Sequence, residues 1–334
     1  LGGRGNKTME QSVRDLVHMK LRKSLGTFQY SNTNYLIAGL VIQVVSGQTY
    51  EDYIQEHIFG PLGMQQSFTA EEEAKQHGAA TGYRWWFGVP VPGRVPFLLD
   101  ALPAAFLWSS ARDMATWLQF HLDGGLSHGV QVLSEHGIAE LHQPAAYVPA
   151  SGAYYGLGWR SWVLDGTPVV SHSGEVATFR CEMLLLPESR TGIVVLANCN
   201  NGLIADLGLD RIVPGIVSIL QGKQPATRKL TFKRLYFLLD VAVGLLSALQ
   251  VLWTWRLATV KRCSRVETIL GALVDLMAPI AVITALPRLF DAPWSLLRIY
   301  VPDITAWLRF VMLPLSVLRL LVWIVRFFNE RREL

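Results

Sequence analysis

The stretch FQYSNTNYLIAGLVIQVVSGQTYEDYIQEHIFGPLGM, Phe28 to Met64, decides how the first two thirds of this chain are read. Asn32 to Ser46 is apolar nearly all round a helical period, which predicts a buried helix with Gly47 as its C-terminal stop. Thr49 followed by Asp52 has the spacing of a capping box, so a second helix is expected over Tyr50–Ile58, stopped at Gly60–Met64. The first helix begins in a polar corner, Tyr30-Ser31-Asn32. Serine and asparagine are ordinary helix starters, so the corner can be a cap while Tyr30 points elsewhere.

Outward from this stretch the period changes. Ser110 with Asp113 is placed to cap a helix over ARDMATWLQFHL, ended by Gly124 and Gly125, and Ser134 to cap a short one through His142. Beyond these, GLGWRSWVL, PVVSHSG, TFRCEMLLL and GIVVLAN are short, rich in β-branched and aromatic residues, and separated by Gly and Pro. They predict an antiparallel meander, with PESRTG (Pro187–Gly192) as a hairpin connection. Helices first and strands afterwards predict an α+β domain. Residues 83–105 are aromatic, proline-rich and irregular, and are expected to form either a loop wall over a site or a packed excursion.

Composition divides the 334 residues, 51% of them hydrophobic. Residues 1–222 read as globular, 223–234 as a basic juxtamembrane linker, and 235–334 as a membrane region. Apolar stretches at 235–255, 268–286 and 305–325 are each near the roughly 20 residues a helix needs to cross a bilayer. Trp253, Trp255, Trp307 and Trp323 mark their ends, as interfacial aromatics do. Asp240 and Arg309 lie near span ends, whereas Asp275 and Arg319 are expected to pair. Lys and Arg on the two sides are nearly balanced and do not decide orientation. The net charge of +4 comes from basic residues flanking apolar runs, which favours a lipid bilayer as partner and excludes nucleic acid. The eight histidines show no metal-ligand spacing, and no phosphate-binding glycine loop is present, so no cofactor is expected. Cys181 and Cys199 lie on neighbouring strand-like runs, where they can approach each other; isolated cysteines more often serve as small buried hydrophobes.

The same five segments carry a family resemblance. The opening stretch with its PLGM turn, SSARDMATWLQFHLDGG (Ser109–Gly125), YGLGW (Tyr155–Trp159), SHSG (Ser171–Gly174) and LLLPESRTGIVVLANCNNG (Leu184–Gly202) occur in the order seen in the serine β-lactamase-like family, the class C β-lactamase, penicillin-binding protein and esterase group. The resemblance covers about residues 8–222. It implies an antiparallel sheet flanked by helices, and acyl transfer from a peptide, ester or amide substrate through an acyl-serine. Tyr30 would be the general base, and Asn32 would orient substrate and a catalytic lysine. His172-Ser173-Gly174 would stand where the family has Lys-Thr-Gly or His-x-Gly, and the backbone N–H of Glu175 would be an oxyanion donor. The apolar stretches predict a multi-pass protein of the cell membrane, and the resemblance implies that the domain lies on the extracytoplasmic side.

Two departures qualify that expectation. The family's nucleophile lies in Ser-x-x-Lys, and no serine here has lysine three residues on; Ser109 and Ser295 meet Arg112 and Arg298 instead. The chain opens on Leu1, and a truncated N-terminus is the expectation, with the fragment inactive by itself. The alternative is a catalytically inactive homologue that binds envelope peptides or partners; a third reading makes the spans the functional part. Second, His172 replaces a lysine. Histidine is partly charged near neutral pH, so weaker selection for a carboxylate is expected, favouring an esterase or peptidase over a true β-lactamase. The Glu175 side chain adds an acid beside the oxyanion strand. Oligomeric state is left open.

Overall fold

The computed structural model describes residues 7–20, 24, 27–94, 101–200, 211–226, 232–259, 264–289 and 292–330. The helices of its first part are α1 (Met9–Arg14), α2 (Asn32–Ser46), α3 (Tyr50–Ile54), α4 (Gly60–Leu62), α5 (Glu71–Gln76), α6 (Ala111–Leu122), α7 (Glu135–His142) and α8 (Ile212–Leu220). Between α3 and α4 the chain passes through one π-helical turn, Gln55–Phe59, so the expected second helix runs on to Leu62 and stops at Gly63, φ +68°. The caps form as expected. Thr49 accepts from the Asp52 N–H, Ser110 from that of Asp113 at 3.1 Å, and Ser134 from that of Gly137 at 3.0 Å. Asp113 also reaches back across the fold. Its buried carboxylate accepts from the Gln66 N–H at 2.7 Å and the Ser67 hydroxyl at 2.8 Å, tying the start of α6 to the segment after the PLGM turn.

The strands are β1 (Tyr83–Trp86), β2 (Val89–Pro92), β3 (Leu126–Ser127), β4 (Val130–Gln131), β5 (Ala146–Val148), β6 (Ala153–Tyr155), β7 (Arg160–Leu164), β8 (Thr167–Val176), β9 (Phe179–Leu186), β10 (Thr191–Ala197) and β11 (Cys199–Asn200). β5 to β10 form the expected meander, every neighbouring pair antiparallel. One face packs under α6 through Leu118, Trp159, Val170 and Leu185. The other packs under α8 through Val169, Leu184, Leu186, Ile193, Val213 and Val217. Burying each such aliphatic side chain stabilises by roughly 1.5–3 kcal/mol. Gly192 lets α6 approach: a Cβ there would lie 2.9 Å from that of Leu118.

β8 is the longest strand and outruns its neighbour. Its pairing with β7 ends at Ser171 opposite Arg160, whereas its pairing with β9 continues to Val176 opposite Phe179. His172 to Val176 therefore have β9 on one side and no β7 partner on the other.

Two expectations are corrected. α2 forms, but it is not buried. One edge packs, with Gly39 against Pro103 and Leu40 and Ile42 against the cluster of Met9, Tyr50 and Leu102. Ile37, Val41, Val44 and Val45 form an exposed stripe at helical spacing. Apolarity all round shows that a helix has no polar face; it does not supply the partners that cover it. Residues 83–92 are not a loop wall. They form the β1–β2 hairpin, which pairs with β11 in a three-stranded sheet and rests its tip on the C-terminal helices. Residues 95–100 of the expected wall lie outside the described residues.

Those helices are α9 (Phe232–Thr259), α10 (Arg265–Leu289), α11 (Trp294–Tyr300), α12 (Pro302–Trp307) and α13 (Leu313–Glu330), the last two joined through a π-helical segment, Leu308–Met312. Three segments are long and apolar enough to cross a membrane: Lys233–Thr259, Val266–Leu289 and Pro302–Phe328. Asp275 and Arg319 pair as expected, 2.7 Å apart and almost wholly buried. The second carboxylate oxygen accepts from the Trp323 indole at 3.0 Å, and the guanidinium donates onward to Ser316, Thr254 and the Gln250 carbonyl. Cys181 and Cys199 are free thiols. Cys263 and the basic residues within 227–231, 260–263 and 331–334 lie outside the described residues.

Candidate active site

The site is built where the start of α2 meets the open half of β8. Ser31 takes the extended N-cap conformation, φ −150°, without a side-chain capping bond. Tyr30, just before it, is half exposed and faces β8: its ring centroid lies 6.4 Å from that of His172, the two planes 30° apart. The partner that joins them is Tyr155, at the end of β6. Its hydroxyl lies 3.0 Å from His172 Nε2, and its ring meets Tyr30 edge-on at 6.0 Å and Phe28 at 5.3 Å. Tyr35, on the first turn of α2, hydrogen-bonds Tyr155 from the other side. Gly158, φ +87°, permits that approach; a Cβ there would sit 3.2 Å from the Tyr35 hydroxyl.

The electrostatics differ from the sequence expectation. Burial lowers the pKa of His172 to about 4, assisted by the Arg160 guanidinium and opposed by a hydrogen bond with the Ser173 backbone. At neutral pH the ring is uncharged, not the partly charged group expected. Tyr30 is pushed above the ordinary phenol range, chiefly by burial, then by Tyr35; Arg160 pulls it down and Glu175 pushes it up. Among the described residues, burial outweighs the pull of Arg160 on this tyrosine. Tyr155 is pushed up too, by burial and then by Tyr35. Two neutral phenols, Tyr30 and Tyr155, sit with the neutral His172 ring, and Arg160 is the positive charge that His172 and Tyr30 both feel.

The remaining site residues are placed as follows. Asn32 is the first residue of α2, with an exposed side chain that makes no hydrogen bond among the described residues. Ser173 and Gly174 lie on the open stretch of β8, opposite Glu182 and Cys181. A Cβ on Gly174 would meet Cys181 Sγ at 2.8 Å, so a larger residue here requires that thiol to shift. The Glu175 side chain is not loose beside the strand. It pairs with Arg180, its register partner on β9, at 3.2 Å.

A family model described as Beta-lactamase matches residues 2–212. The chain belongs to the beta-lactamase family. Among curated relatives it is 31% identical over 206 residues to Protein flp of Staphylococcus aureus strain MW2, covering 60% of this chain and 40% of that one. It is 30% identical over 189 residues to penicillin-binding protein 4 of Amycolatopsis lactamdurans, covering 54% and 49%. The chain thus spans less than half the length of either. Among solved structures it resembles the octameric penicillin-binding protein homologue from Pyrococcus abyssi, with a TM-score of 0.57 at 28% identity, over 65% of this chain and 48% of that one. A class C beta-lactamase, at 18% identity and a TM-score of 0.52 over 61% of each chain, shows the fold alone.

Within the beta-lactamase family fold, three residues at the site had been given no role from sequence: Tyr35, Tyr155 and Arg160. Each carried a signal. Tyr35 is three residues after Asn32 and so on the same helix face. Tyr155 opens the YGLGW segment. Arg160 follows it directly, an isolated cation in an otherwise apolar strand. Also unforeseen is a second pair: His142 Nε2 and His121 Nδ1, on α7 and α6, lie 3.0 Å apart against Trp117 and Trp159. Among the described residues no group of three potential metal ligands forms.

Proposed function

We propose that this chain carries the tyrosine side of a membrane-anchored serine hydrolase site, facing the extracytoplasmic side, and that the nucleophilic serine and its lysine come from polypeptide outside these 334 residues. The observation that carries the reading is the position of Tyr30 against the Tyr155–His172 pair, beside the open edge of β8. In the proposed reaction the serine hydroxyl attacks an ester or amide carbonyl, and Tyr30 takes its proton and passes it to the leaving alcohol or amine. The Glu175 N–H supports the developing oxyanion. An extended substrate backbone pairs with the edge His172–Val176, where Gly174 leaves room. Asn32, at the mouth, orients substrate and lysine. Water then attacks the acyl-serine and releases the acid.

Tyr30 needs an added cation to work as a base, because burial holds its phenol protonated. A lysine three residues after the serine would supply that cation. The neutral His172 supports esters, amides and peptides over substrates selected by an adjacent carboxylate. The three apolar segments serve as the anchor, with 223–234 as the linker. Labelling the full-length gene product with a fluorophosphonate or a fluorescent penicillin tests this reading: labelling is expected, and Tyr30→Phe should abolish it. The 334-residue chain alone should stay unlabelled. A full-length reading frame without Ser-x-x-Lys, or a full-length protein that neither probe labels, would sink the enzyme.

The raised Tyr30 phenol together with the missing Ser-x-x-Lys favours one second reading: an inactive homologue that holds an envelope peptide along the same edge. Saturable peptide binding without turnover, unchanged by Tyr30→Phe, would support it.

A further inference from the structure

The end of the sheet that bears the site is tied to the apolar helices by a continuous set of contacts. At the end of β8 the Val176 carbonyl accepts from the side-chain amide of Asn200 at 2.8 Å, and Asn200 is wholly buried. Asn200 and Cys199 pair in parallel with Arg84 and Tyr83 of β1. The β1–β2 hairpin then delivers its tip to the helices. The Phe87 N–H donates to Asp303 at 3.3 Å, and the Trp85 ring lies 5.8 Å from that of Tyr236. Gly88, φ +71°, passes so close to α9 that a Cβ would lie 3.2 Å from the Asp240 carboxylate.

A helix between the apolar segments also lies within electrostatic reach of the site. α11 connects the second apolar segment to the third. Trp294 at its start donates its indole N–H to the Ile283 carbonyl at 3.0 Å, and Leu297 is buried. Tyr300 at its end is pushed up by burial and then by the charge of Glu175. Tryptophan and tyrosine are the residues favoured at headgroup level, and this pair stands at the two ends of α11. Glu175 follows Gly174 directly. The opposite end of the sheet, the β9–β10 turn at Pro187–Arg190, is farther off by the length of β9, about 25 Å at roughly 3.3 Å per residue.

We infer that the cleft opens onto the membrane surface and that its substrates are amphiphiles: acyl donors held in the bilayer by a lipid, with the scissile ester or amide at headgroup level. This deepens the proposed acyl-transfer reading and rests on it. A free solute gains nothing from a mouth placed there. A lipid-held substrate is confined to the layer the cleft faces, at an effective concentration on the order of millimolar.

Two measurements in lipid nanodiscs test the inference. For placement, a fluorophore is attached to Glu175→Cys or, as control, to Ser189→Cys in the β9–β10 turn, with Cys181, Cys199 and Cys263 replaced by alanine. Headgroup-linked nitroxide lipids should quench the first strongly and the second little. For substrate, the full-length gene product is acylated with a free penicillin probe and with the same probe joined to a lipid through a short linker. The lipid-joined probe is expected to react at least about tenfold faster at equal total concentration. Quenching at position 175 no stronger than at 189 overturns the inference, and so do equal, measurable rates for the two probes. If neither probe reacts, the acyl-transfer reading itself fails, and the substrate inferred from it fails with it.

Discussion

The Tyr155 hydroxyl and His172 Nε2 lie 3.0 Å apart, hydrogen-bonded across the end of the sheet. This bond, not a charge, orients the histidine. A neutral imidazole hydrogen-bonded to a tyrosine presents a fixed face to Tyr30, and the Tyr35 hydrogen bond holds Tyr155 in turn. Tyr155→Phe removes the hydroxyl and leaves Nε2 without this partner in a half-buried place. A hydrogen bond of this kind is worth about 1 kcal/mol of stability. Thermal unfolding should therefore shift by a few degrees at most. The acylation rate of the full-length protein should fall by about tenfold or more, because one tenfold step corresponds to 1.4 kcal/mol. Loss of stability without loss of acylation would make Tyr155 a packing residue only.

Acid should weaken the domain through its buried histidines. Burial lowers the pKa of His121 to about 3, helped by its neighbour His142, and burial lowers His142 as well. The folded state keeps these rings neutral, while the unfolded chain takes up protons below about 6.5. Their contribution is thus present above that pH and is lost as pH falls toward 3. For His121 alone the loss between pH 7 and pH 5 is roughly 2 kcal/mol. His172, lowered to about 4, titrates in an overlapping window. Denaturant unfolding at the two pH values measures the sum, and His121→Gln should reduce the difference by about the His121 share. An unchanged pH dependence would show that the His121 ring is not held neutral.

How much of this was legible in the sequence depends on whether a feature is local. The caps at Thr49, Ser110 and Ser134, the meander and the three apolar segments are set by neighbours a few residues away, and each formed. So did the Asp275–Arg319 pair, because two opposite charges in an apolar setting have few other partners. The same reasoning failed for α2, where apolarity was local but burial needed partners from elsewhere. It failed for residues 83–92, whose prolines and aromatics suggest irregular chain until β11 arrives to pair with them. At the candidate site, Tyr30 and His172 stand out in the sequence by their motifs, and the fold brings their rings within 6.4 Å. Tyr155, Tyr35 and Arg160 were missed because their roles arise where β6, β7 and α2 converge. The charge state of His172 was missed for the same reason: burial is a property of the fold.

The Asp275–Arg319 pair should behave as a lock between the apolar helices. It joins α10 to α13, and Arg319 also reaches Gln250 and Thr254 on α9. Removing one partner of a buried pair costs about 3–5 kcal/mol, because the other charge stays buried, whereas replacing both by apolar residues is often neutral. Asp275→Leu and Arg319→Leu should therefore each lower the unfolding temperature in detergent strongly, and the double variant should recover most of the loss. Additive losses in the double variant would mean that the two side chains do not act on each other.

Gly174 separates packing from catalysis at one position. A methyl group there meets Cys181 Sγ at 2.8 Å, and overpacking of this sort costs about 1–3 kcal/mol. Gly174→Ala should therefore destabilise the domain, and Cys181→Ala in the same chain should restore stability by removing the sulfur. If the glycine also matters because a substrate backbone lies along the open edge of β8, restored stability will not restore acylation. The methyl group would still stand on the stretch that the substrate pairs with. Unfolding and probe acylation measured on the single and double variants give the answer. Recovery of both would leave Gly174 as a packing residue and move the substrate off this stretch of β8. Recovery of stability alone places it there.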